Sequence, residues 1–275
     1  MTKTSPQPGL IQRLYVRQPA VLLLAGSDAQ VAGHDGQYIG RAWLWLGVTG
    51  LAWGIMLALL WNAGMSVFGR QWASDMPLLP VAIVLLAMGL GPFRQTLSAL
   101  SAALDGRTVA SQATLAGTLL AVLALCLLDL PCRRPDYATW LPQWLQFVWP
   151  VPENRVLVLM PIWGVWAMMA PVHFCRPAEG AAPLVAAFSR QQPVAATALW
   201  MAIPLAATLW WLKFLQAWVA LPAGMGLLVG CFGGILLCRR HGGVCRHALL
   251  AANMATQGAY LLGYLAGKAL LINGH

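Results

Sequence analysis

The sequence predicts an all-α, polytopic membrane bundle, and three observations carry that prediction. Of 275 residues, 59% are apolar and only 9% are charged, more apolar surface than a single soluble core of this size can hide. Apolar runs of about 20 residues, the length that crosses a bilayer as a helix, recur along the chain. Most of the Arg and Lys residues fall between those runs rather than within them, as in chains that thread a membrane.

Residues 1–41 read as a cytoplasmic or interfacial arm, because their one apolar patch, at 20–25, is short and lies between Pro19 and Gly26. Residues 42–275 form a single transmembrane domain. Its runs lie at 42–63, 76–93, 108–130, 156–174, 194–221, 222–238 and 248–271, about seven spans with the second and sixth short. Pro222 is the predicted break between the fifth and sixth, since proline starts a helix well and ends one abruptly. Within the sixth, Gly226, Gly230 and Gly234 recur every fourth residue, a ridge on which a neighbouring helix can pack closely. Between the third and fourth runs, Trp140, Trp144 and Trp149 sit in a Pro-interrupted stretch that reads as interfacial, with indoles at headgroup depth.

With the N-terminus cytoplasmic, eleven Arg and Lys residues fall on inner segments and five on outer ones, which satisfies the positive-inside bias. The same arrangement accounts for the net charge of +9 through inner loops that face anionic lipid. No basic stripe interleaved with aromatics marks a nucleic-acid surface. The lipid bilayer is the partner that composition itself names.

The stretch RRHGGVCRHALLAAN, residues 239–253, joins the last two runs. It resembles a signature of the cobalamin synthases (adenosylcobinamide-GDP ribazoletransferases), in which an Arg pair, a Gly pair, Thr-Gly-Asp and Ala-x-Asn open the final helix. Arg239, Arg240, Gly242, Gly243, Ala251 and Asn253 fit that frame, while Cys245, Arg246 and His247 stand where Thr-Gly-Asp is the family's pattern. The blocks GRAWLWLGVTGLAWGIMLALL and MPIWGVWAMMAPVHFCRPAEGAAPLVAAFSRQQ are similar to family blocks in the same order. LDGRTVAS resembles the family's Asp-x-Arg element, with Asp105 and Arg107 in the matching places.

The resemblance implies a bacterial inner-membrane protein whose family transfers the adenosylcobinamide phosphoryl group from its GDP ester to alpha-ribazole, releasing GMP. It implies Mg2+ as cofactor, a cation that takes hard oxygen ligands together with substrate phosphates. It nominates Asp105 and Arg107 for catalysis, with Asp105 on the metal, and Arg239, Arg240, Gly242, Gly243 and Asn253 for the corrinoid nucleotide. Arginine forks suit phosphate oxygens. The family's acidic loop, a His followed by several Asp, corresponds to residues 88–104, which contain no Asp, Glu or His. Loss of those acids points to a second class, a non-catalytic relative that binds a corrinoid or a partner protein through the same face.

A third reading comes from the residues alone. Cys238, His241, Cys245 and His247, with His173 and Cys175, offer soft ligands for zinc, copper or iron, although their spacing matches no standard site. Structural disulfides are not expected among cysteines that face a reducing cytoplasm or lie inside helices. Asp129 and Lys213 fall within apolar runs but near their outer ends, where a side chain reaches water.

Overall fold

The computed structural model describes residues 42–68, 78–90, 93–105 and 155–273, together with Leu23, Leu24 and Val31 of the N-terminal segment. The described residues form nine α-helices: α1 (Ala42–Phe68), α2 (Leu78–Leu90), α3 (Phe93–Asp105), α4 (Arg155–Met169), α5 (Pro183–Gln191), α6 (Val194–Trp211), α7 (Ala220–Leu228), α8 (Gly234–Arg240) and α9 (Arg246–Asn273). A π-turn, Val229–Gly233, joins α7 to α8 without a break. Among these residues there is no strand, only one isolated parallel bridge between Pro177 and Val244.

Among the described residues, four helical segments are long and apolar enough to cross a membrane: Leu44–Gly64, Arg155–His173, Val194–Trp211 and Leu215–Arg240. They differ in what they touch. The segment built on α4 is 94% buried inside the bundle, and α1, α6, α9 and the π-turn joining α7 to α8 pack around it. The outer helices turn apolar side chains outward, as α1 does with Leu44, Val48, Leu51 and Ile55 and the α7–α8 segment with Leu228, Phe232 and Leu236. A continuous apolar exterior is a liability in water and the ordinary surface of a helix in lipid.

Close approach to α4 depends on missing side chains. A Cβ on Gly54 would overlap the Val158 carbonyl, and one on Gly50 would lie 2.9 Å from Val165 Cγ2. From the other side, the predicted ridge packs as its spacing implies: Cβ atoms at Gly226, Gly230 and Gly234 would meet Trp163 at 3.1 Å, Trp166 at 2.5 Å and Pro171 at 3.3 Å. Contact of this kind substitutes for the hydrophobic effect, which does not drive helices together in lipid.

Three of the expected runs take a different form. The run at 76–93 yields α2, only 13 residues long and short of the roughly 20 that span a bilayer. The break assigned to Pro222 lies earlier, in the 3-10 segment Lys213–Val219, where Gln216 adopts φ 56° and ψ −129°. Pro222 is third in α7, a position whose N–H has no intrahelical acceptor, so the helix runs through it. The last run forms α9, 28 residues, but α9 is absent from the four apolar spans because its buried stripe is polar: Asn253, Thr256, Gln257, Tyr260 and Tyr264. Polar side chains on a bundle helix belong on its inner face. The third run, 108–130, and the tryptophan-rich stretch lie outside the described residues.

Part of the N-terminal arm belongs to the common core. Leu23, Leu24 and Val31 are buried in it, and Arg246 Nε donates to the Leu23 carbonyl at 3.1 Å.

Candidate functional site

The junction between α8 and α9 is built by its glycines. Helix α8 ends at Arg240, and the chain leaves through a Schellman cap: Gly242 N–H donates to the Arg239 carbonyl at 3.2 Å and Gly243 N–H to the Cys238 carbonyl at 2.8 Å. Gly242 has φ 72° and Gly243 φ 139°, backbone states that favour glycine. Gly243 is also pressed against the 176–178 loop, where a Cβ would lie 2.6 Å from the Arg176 carbonyl oxygen. That loop and the junction exchange two bonds, Val244 N–H to Arg176 O at 2.7 Å and Ala178 N–H to Val244 O at 3.1 Å. Both glycine amides are therefore committed to the cap.

Cys245, Arg246 and His247, which follow the cap, each have a definable place. Cys245 precedes α9 and its Sγ accepts the Ala248 N–H at 3.4 Å, the contact an N-cap threonine hydroxyl makes. Arg246 binds the Leu23 carbonyl and the Gln95 side-chain oxygen, tying the N-terminal arm and α3 to the start of α9. His247 is exposed on the first turn of α9.

Arg239 and Arg240 are exposed at the end of α8, as are Arg176 and Arg190. All four lie at the end of the bundle where α4 stops and α6 begins, an adjacency fixed by the 2.7 Å bond between His173 Nε2 and Thr197 Oγ1. From 155 to 273 the only acidic residue is Glu179, on the same end and exposed. His241, also exposed, has its imidazole pKa lowered below the usual value by burial of part of the ring and by the neighbouring His247 and Arg240 charges.

The soft-ligand set does not converge. Cys238 is fully buried with Cys175 and Cys245 beside it, whereas His241 and His247 are exposed and Cys245 Sγ serves the α9 cap. Among the described residues no three His, Cys, Asp or Glu side chains are placed to hold a metal ion. Asp105 is the last residue of α3, and Arg107 lies outside the described residues. Of the acidic residues, Asp28, Asp35, Asp75, Asp129, Asp136 and Glu153 lie outside the described residues.

Asn253 is brought somewhere else, into the bundle interior. It is 2% exposed and lines a partly open pocket between α1, α3, α4 and α9 with Thr49, Trp53, Thr96, Gln257, Leu24, Pro161 and Val165. Gln257 Nε2 donates to Asn253 Oδ1 at 2.5 Å, and Asn253 Nδ2 faces Met168 Sδ at 3.4 Å. Gly164 of α4 presses on the pair: a Cβ there would lie 2.8 Å from Gln257 and 2.9 Å from Asn253 Oδ1. Sequence reasoning missed Gln257, Thr49, Trp53 and Thr96. The signal for Gln257 was present, an amide four residues after Asn253 and so on the same helical face.

Searches of protein-family models, curated proteins and solved structures give no match to this chain.

Proposed function

We propose that this chain is a seven-span bacterial inner-membrane protein of the cobalamin-synthase type, N-terminus cytoplasmic, that binds the family's corrinoid nucleotide at its Arg-rich end without transferring it to alpha-ribazole. The observation that carries the binding half is the exposed guanidinium cluster. Among the described residues, Arg176, Arg190, Arg239 and Arg240 stand at one end of the bundle with Glu179 as the one exposed carboxylate beside them, while the opposite end holds Arg155 and Lys213. Guanidinium forks bind phosphate oxygens bidentately, and the same asymmetry favours the cytoplasmic side for this end.

The non-catalytic half follows from the acids. Diphosphate transfer in the family runs with Mg2+, which needs several oxygen ligands and near-octahedral geometry. Residues 88–104 carry no acid, and His247 replaces the junction Asp. The glycine amides that would cradle a diphosphate cap α8 instead.

The test is purified protein in nanodiscs with adenosylcobinamide-GDP, alpha-ribazole and Mg2+, following both corrinoid binding and GMP release beside an Asp105→Ala control. The expected result is saturable binding that weakens at least about tenfold when Arg239 and Arg240 are both changed to Gln, roughly the loss of one charge-assisted contact, with no GMP released. Mg2+-dependent GMP release would overturn the non-catalytic half, and absence of corrinoid binding would overturn the whole reading.

A further inference from the structure

We propose that Cys175 and Cys238 form a thiol-oxidation site, in which hydrogen peroxide converts Cys175 to a sulfenic acid and Cys238 condenses with it to a disulfide. The bond would tie the turn after α4 to the end of α8. The inference is independent of the corrinoid reading and rests on helix register. Where the α7–α8 segment packs on α4, Gly226 faces Trp163, Gly230 faces Ala167 and Gly234 faces Pro171. Both members advance by four residues at each step, the spacing of one helical face. The next step pairs Cys238 with Cys175. Helical spacing reaches Cys175 because its N–H donates to the Pro171 carbonyl at 3.0 Å. Beyond it the two segments stay side by side, joined by the parallel bridge between Pro177 and Val244.

The side chains follow the register. Cys175 Sγ lies 3.9 Å from the Ile235 carbonyl oxygen, in the turn of α8 that ends at Cys238, and the Cys238 thiol has the Cys175 thiol beside it. Both are free cysteines. A disulfide needs Cα atoms within about 7 Å, and glycines at the preceding rows let the two backbones approach closely. Cys245 also neighbours Cys238, but it lies off the shared row and its Sγ accepts the Ala248 N–H. Exposure separates the roles of the pair. Cys238 is fully buried and Cys175 half-buried, and oxidation begins at the more accessible thiol. The Cys175 sulfur attacks the peroxide; an S–O bond forms as the O–O bond breaks, and the leaving oxygen departs as water with the thiol proton. The Cys238 sulfur then displaces the hydroxyl from Cys175, so that S–S forms, S–O breaks and a second water takes the Cys238 proton. The thiols give up two electrons, and one peroxide is reduced to two waters.

The test treats the full-length protein in nanodiscs with hydrogen peroxide, quenches the peroxide, blocks the remaining thiols with iodoacetamide in denaturant and maps unreduced peptides by mass spectrometry. The expected result is a peptide linked through Cys175 and Cys238 within one chain, which dithiothreitol separates. The link is expected to form equally in Cys245→Ser and to be lost in Cys175→Ser. In Cys238→Ser it is lost as well, and Cys175 is expected to run on to sulfinic acid, which dithiothreitol does not reverse. A dominant link from Cys175 to Cys245, or to any cysteine other than Cys238, would overturn the proposal. So would Cys175 left unoxidised, or Cys175 carried to sulfinic acid in the unaltered protein with no link formed. The peptide map of the unaltered protein decides the matter even where a variant does not fold.

Discussion

The hydroxyl of Thr208 lies 3.0 Å from the Tyr260 hydroxyl and accepts the Trp163 indole N–H at 3.0 Å, closing a buried network between α4, α6 and α9. Trp163 stacks on Tyr260 with ring centroids 5.8 Å apart and meets Trp166 edge-on at 5.5 Å. About one turn nearer the start of α9, on the same buried stripe, the Asn253–Gln257 pair leaves Gln257 Oε1 without a partner among the described residues. A network whose donors and acceptors pair off holds helices together.

Thr208→Val tests the Trp163–Thr208–Tyr260 network. It deprives the Trp163 N–H and the Tyr260 hydroxyl of their shared partner in the core, at a cost of about 1–3 kcal/mol for a buried group left unsatisfied. Thr208→Ser, which keeps the hydroxyl, is expected to lose less than half as much. Thermal unfolding in detergent, followed by Trp fluorescence, measures both; equal midpoints for the Val variant and the native chain would show that the network does not stabilise the bundle.

Helix approach gives a sharper pair. Gly54→Ala places a methyl against the Val158 backbone carbonyl, an obstacle that cannot rotate away, so α1 must retreat from α4 at a cost of about 1–3 kcal/mol or more. Gly258→Ala meets nothing within 4 Å and is expected to stabilise α9 by about 0.5–1 kcal/mol through helix propensity. Opposite shifts in the unfolding midpoint are expected for two chemically identical changes; shifts of the same sign would show that α1 and α4 do not pack through Gly54.

These contrasts also show what the sequence could and could not disclose. The four-residue spacing of Gly226, Gly230 and Gly234 announced a packing ridge, because helical periodicity survives in one dimension. The site did not announce itself in the same way. Asn253 was visible as part of a motif, but Gln257 was masked by the apolar helix around it, and Thr49, Trp53 and Thr96 lie on two other helices whose approach no spacing specifies. The low hydropathy of α9 has a related cause, since its polar residues face inward and so depress the average without opening the helix to water. At 239–253 the motif was legible as a string while its glycine pair proved to be a helix cap, a role set by φ values that composition does not reveal.

That cap supports a prediction of its own. Gly243→Ala would need φ near 139°, a region closed to L-residues at low cost, and would drive its methyl toward the Arg176 carbonyl. The bridge from 176–178 to Val244 is expected to open, with amide hydrogen exchange at Val244 and Ala178 accelerating at least about tenfold, the equivalent of roughly 1.4 kcal/mol or more. Gly242→Asn, in an open left-handed position with φ 72°, is expected to leave the same amides protected, because Asn tolerates that conformation. Equal protection in both variants would mean that the junction does not depend on its second glycine.

The His241 imidazole provides the pH dependence of this end of the bundle. Burial, then the His247 and Arg240 charges, lowers its pKa from 6.5, so its protonated form is disfavoured in the folded protein. The unfolded chain takes up the proton first as the pH falls, and the stabilisation from a neutral His241 is therefore complete above about pH 6.5 and is lost as the pH drops through the lower folded value. Histidine NMR titration is expected to place the His241 midpoint below 6.5, and Arg240→Gln to move it upward without restoring it fully, because burial, the larger cause, remains. A midpoint at or above 6.5 would remove the basis for this assignment. Near neutral pH His241 then adds no charge to the exposed arginines, so anion binding there is expected to rest on Arg239, Arg240 and Arg176 and to strengthen only when the pH falls far enough to protonate His241.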